Sequence, residues 1–104
     1  MNSQELANNS YQLIKRDFNL EEQFDMVGDN PFDRLHQMLT NIVKYLLDKD
    51  FNGLMNALYR IDVPEGKVKE ILELSYPDEL ASNLASAIIL REKQKVLTRL
   101  KYNN

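Results

Sequence analysis

Four residues at the middle of the chain have the types and the spacing to hold a cation. Asp48, Asp50 and Asn52 alternate side-chain oxygens along Asp48-Lys49-Asp50-Phe51-Asn52-Gly53, and Gly53 permits a sharp turn. A hard divalent cation such as calcium collects roughly six to eight oxygen ligands, and alternation along a loop turns successive oxygens toward one point. Asn56 is a further oxygen donor. Asp48, Asp50 and Asn52 are therefore the metal candidates. Acid–base chemistry has one further candidate, His36, the single histidine, with Asp33 one turn earlier. A lone histidine beside an apolar stripe reads as a boundary residue, and a metal there would need carboxylates brought from elsewhere. With no cysteine, thiolate nucleophiles, thiolate metal sites and disulfides are excluded. Glycine-rich phosphate loops, G-x-S-x-G and H-E-x-x-H are absent as well. The expectation is a protein that is not an enzyme and carries no cofactor.

Two longer patterns surround these residues. The run D-x-D-x-N-G with a helix leading into it resembles the opening of an EF-hand loop, which implies calcium. The resemblance implies a bidentate Glu at the closing position, where Tyr59 stands, and no second loop exists to pair with it. Leu58, Asp62, Val68 and Ile71 resemble the spacing that holds a helix-turn-helix together, which implies DNA binding through 57–73. Leu58 is bulky where a small residue is usual, and Asp62 takes the place usually held by glycine. Glu65, Glu70 and Glu73 also oppose Lys67 and Lys69, and acids on a recognition helix repel phosphate. The bland alternative for 57–73 is a helical hairpin packing Leu58 on Val68 and Ile71. For the central loop it is a junction in which Asp50 caps the helix after it.

The C-terminal stretch offers a surface. Arg91, Lys95 and Arg99 recur every fourth residue and share one helical strip, with Lys93 and Lys101 nearby and Glu92 as the only local acid. Ile88, Ile89 and Leu90 are consecutive, so they point about 100° apart and cannot all face one neighbour. Either that helix is central or one face meets another chain. Ile89, Leu90, Arg91, Lys95 and Arg99 are the candidate partner contacts.

The elements that must position these groups are helices. Prolines 31, 64 and 77 each follow an Asn, Asp or Ser by one or two residues and precede an acid, the composition of a helix start. Apolar residues at three- and four-residue steps extend the starts into helices over 31–48, 51–61, 63–74 and 77–101. Leu6, Leu13, Ile14 and Phe18 form a thin stripe that permits a helix over 3–17. Asn19, with Glu22 three residues on and Gly28 beyond, suggests a short further helix. From Asp17 to Asp33 inclusive there are six acids and no base. Residues 1–30 thus read as an N-terminal arm, polar and acidic and partly helical or mobile, and 31–104 as the bundle domain.

The chain has 104 residues, with 43% hydrophobic and 28% charged, which suits one globular domain. A net charge of -3 gives no overall attraction to nucleic acid or anionic membrane. No apolar run approaches a membrane span, and the first ten residues lack the apolar core of a signal peptide. The expectation is an all-α cytoplasmic protein: a compact bundle of four main helices with a variable, partly helical N-terminal arm and no membrane partner. Its expected role is a non-enzymatic protein-interaction module, homodimeric or bound to another protein. The alternatives are a small nucleic-acid-binding regulator and a degenerate calcium-binding domain.

Overall fold

The computed structural model describes residues 1–21 and 30–102. Among them are five helices and no strand: α1 (Ser3–Asp17), α2 (Pro31–Lys49), α3 (Phe51–Ile61), α4 (Glu65–Leu74) and α5 (Leu80–Tyr102). The all-α bundle is as expected. The short helix read after Asn19 falls mostly on residues 22–29, outside the described residues.

α5 is the axis of the bundle and touches each of the other four helices. Its Leu84, Ile88 and Ile89 are buried against Leu35, Leu39 and Val43 of α2, Ile14 of α1 and Leu54, Leu58 and Ile61 of α3 in one apolar cluster. This settles the consecutive Ile88, Ile89 and Leu90: a central helix covers the first two and leaves the third outside. α2 buries Leu35, Leu39 and Val43 fully, at steps of four, and Phe32, Met38, Leu46 and Leu47 flank that line.

α1 is a core element. Asn2 caps it, its side-chain oxygen accepting from the Glu5 N–H at 2.8 Å while its amide donates to the Glu5 carboxylate at 3.2 Å. The buried face is thicker than Leu6, Leu13 and Ile14 suggest, because Ala7, Ser10 and Tyr11 are buried too. Asn19 ends this helix. It lies at φ 54, and the Leu20 and Asn19 N–H groups reach back to the Lys15 and Arg16 carbonyls, the closure of a left-handed cap.

The same closure corrects the reading of Asp62, expected as a start signal for α4. Asp62 lies at φ 68, and the N–H groups of Val63 and Asp62 return to the Leu58 and Tyr59 carbonyls. It ends α3. Pro64 is then extended, and α4 begins at Glu65 without a side-chain cap. This corner sends α4 away from α3. α4 contacts α5 alone and buries one residue, Ile71. α3 and α4 therefore do not close as the helical hairpin offered for 57–73, although Leu58 and Ile71 belong to the same apolar cluster. α5 begins three residues later than the proline pattern indicated, because 77–79 form a turn in which the Glu79 N–H donates to the Tyr76 carbonyl at 2.9 Å. Ser75 accepts from the Asn83 side chain at 2.9 Å.

Candidate functional site

The central polar loop is a helix junction. Asp50 ends α2 and caps α3, its Oδ1 accepting from the Gly53 N–H at 3.0 Å. A Cβ at position 53 would collide with the Asp50 carboxylate, so a glycine fits the cap tightly. Asp48 meets Lys49 at 3.4 Å on an open surface, and Asn52 is exposed. Among the described residues no three His, Asp or Glu side chains converge as a metal cage. Asp50→Ala is expected to lower unfolding stability by about 1 kcal/mol, the usual worth of such a cap, measured by urea denaturation.

His36 is a clasp between α2 and α5. Its Nε2 lies 3.1 Å from the Ser82 carbonyl and 3.1 Å from Ser86 Oγ. A carbonyl only accepts, so Nε2 carries the proton and donates. Among the described residues no carboxylate forms an ion pair or hydrogen bond with it.

The C-terminal strip divides into three environments. Arg91 donates through Nε to the Asp62 carbonyl at 3.0 Å and through Nη2 to the Asp62 carboxylate at 3.3 Å, so it ties α5 to the end of α3. Lys95 is half-buried and its charge acts on Glu92. Arg99 is exposed and borders a shallow surface groove with Leu13, Val96 and Leu100. Ile89, at 8% exposure, is covered by its own chain, whereas Leu90 is 56% exposed and faces Leu74 and Tyr76 beside α4.

Two features lie outside the residues that the sequence pointed to. The first is a buried pair of carboxyl groups. Asp17, in the last turn of α1, and Glu92, one turn after Ile88 on α5, are both buried. Arg16 holds Asp17 Oδ1 at 3.2 Å, and Arg60 of α3 donates to the Asp17 backbone carbonyl at 2.7 Å. Apart from each other, neither Glu92 nor Asp17 Oδ2 has a hydrogen-bond partner among the described residues. Burial pushes Glu92 up from its ordinary 4.5 to about 8, and Asp17 adds to the shift as hydrogen-bond partner and as a negative charge, with Lys95 and Arg16 opposing. Glu92 therefore holds its proton at neutral pH and offers its O–H to Asp17. A signal was present: Ile88, Glu92 and Val96 fall at four-residue steps, which puts Glu92 on the apolar line.

The second feature is a groove left open by the parting of α3 and α4. Met55, Leu58, Val63, Pro64, Val68 and Leu72 line about 420 Å³, and Tyr59, Asp62, Glu65, Lys69 and Glu73 rim it. Tyr59 stands 80% exposed on its edge. Its apolar floor and charged rim match the way grooves accept the apolar face of a helix. Among the described residues no helix is long and apolar enough to cross a membrane. Comparison with known protein families, curated proteins and solved structures finds no match for the chain.

Proposed function

We propose that this chain is a non-enzymatic helical interaction module, working in the cytoplasm, whose docking surface is the groove between α3 and α4. The observation that supports it is the groove itself. A small domain gains stability by closing such a space, yet α4 leans on α5 alone and leaves Met55, Val68 and Leu72 half-covered. Exposed aromatic residues are typical binding anchors, and Tyr59 stands at the rim.

The reading is tested with the full chain immobilised and the source cell's lysate treated with nuclease. The expected result is a protein held in stoichiometric amount by the native chain and lost with Tyr59→Asp, a change at an exposed position that leaves the fold intact. Capture indifferent to Tyr59→Asp would place any docking elsewhere.

A nucleic-acid regulator draws on one observation, the exposed Arg99 and Lys101 on the last turns of α5. Its other half, α4, carries Glu65, Glu70 and Glu73 in the open, where phosphate is repelled. That reading requires captured nucleic acid released steeply by salt.

A further inference from the structure

We propose that the groove between α3 and α4 receives the C-terminal end of α5 from a second copy of this chain. The inference rests on the docking reading and names its occupant. Three acids, Asp62, Glu65 and Glu73, stand around the groove against one base, Lys69. Asp62 is answered by Arg91, but neither Glu65 nor Glu73 has an ion-pair partner among the described residues. An occupant should therefore bring apolar side chains flanked by bases.

The chain carries such a segment. After Glu92, α5 has no acid through residue 102, and it holds Lys93, Lys95, Arg99 and Lys101. Leu97 and Leu100 are 48% and 42% exposed, one turn apart on the same side of the helix. Leu97, Leu100 and Tyr102 are exposed apolar side chains beside Arg99 and Lys101, while Lys93 lies over the Phe32 ring at 4.5 Å and Lys95 faces Glu92. The segment cannot turn into its own groove. α5 is one unbroken helix from Leu80 to Tyr102, tied to the groove's edge at Arg91, so Leu97 lies roughly 9 Å farther along the axis. A second copy meets no such restraint. If each copy gives its end to the other's groove, the exchange closes on a two-fold axis as a dimer.

The test is sedimentation equilibrium of the full chain over a range of concentrations, with Tyr59→Asp altering the groove and Leu97→Asp the helix end. Both positions are exposed, so circular dichroism should be unchanged. The native chain is expected to be in monomer–dimer equilibrium, weakened by salt because rim charges contribute. Each variant alone should raise the dimer dissociation constant about tenfold or more, as loss of a central anchor does. An equimolar mixture of the two variants should dimerise better than either alone, because one intact groove can then meet one intact helix end. A native chain monomeric at every concentration, or a dimer indifferent to both substitutions, overturns the proposal. If the native chain is monomeric but another protein still binds in a Tyr59-dependent way, self-pairing falls and the docking reading stands.

Discussion

Glu92→Gln should make the protein more stable at pH 8, by about 4 kcal/mol, while changing little near pH 4.5. Glu92 is fully buried, and its folded pKa of about 8 lies above the ordinary 4.5. Between those two values the folded chain keeps a proton that the unfolded chain releases. The unfolded state then binds fewer protons, so stability falls as pH rises, by up to about 1.4 kcal/mol per pH unit. Below pH 4.5 both states are protonated and this group contributes no slope. A glutamine has no charge to lose, fills nearly the same space and can donate an N–H to Asp17. Urea denaturation of both proteins at several pH values gives the difference curve, in which the other carboxylates largely cancel. A flat difference would mean that Glu92 is ionised in the fold and served by water or by a cation.

Ile88→Ala should cost about 2–5 kcal/mol, the range for truncating a large aliphatic side chain in a close-packed core. Ile88 is fully buried on α5, the one helix that touches all the others, so the cavity cannot be closed by moving a single neighbour. Set against a total stability of ~5–15 kcal/mol for a domain, that is a large fraction. The loss should appear in every helix, because exchange protection across the core is limited by global unfolding. Ile71→Ala is the informative contrast. Ile71 is the single buried residue of α4, and α4 rests on α5 alone. Its truncation should free the amides of 65–74 to exchange while α1, α2, α3 and α5 keep most of their protection. Uniform loss of protection in both variants would show that α4 is part of the same cooperative unit.

The contrast between these positions also marks what the sequence made legible. α2 and α3 were readable because their apolar residues repeat at helical steps with clear starts, and Asp50 took the capping role that its position before α3 suggests. α1 was readable as a helix, but its depth was hidden, since Ala7 and Ser10 carry little hydrophobic signal and pack by being small. Glu92 was hidden by its charge: it looked like a local counter-ion for the bases around it, and only burial turns it into a neutral hydrogen-bond donor. The groove was the least legible feature. An aspartate before a valine and a proline has the composition of a helix start, and the left-handed turn at Asp62 uses it as a helix end instead. That one dihedral decides whether α3 and α4 close on each other or part, and residue types do not fix it. The candidate partner contacts were scattered for a related reason. A strip at four-residue spacing is one face of an isolated helix, but Arg91 is taken by the end of α3 and Lys95 sits near the buried carboxyl pair.

The most direct test of the docking account places a photoreactive phenylalanine analogue at Tyr59 in the living cell, with Tyr45 as control. Both tyrosines are exposed, Tyr59 at 80% on the groove's edge and Tyr45 at 64% outside its lining. The account predicts one discrete adduct from position 59, to a helical segment with basic residues beside apolar ones, and none of the same mass from position 45. Identical products from the two positions, or no protein adduct at all from position 59, would contradict it.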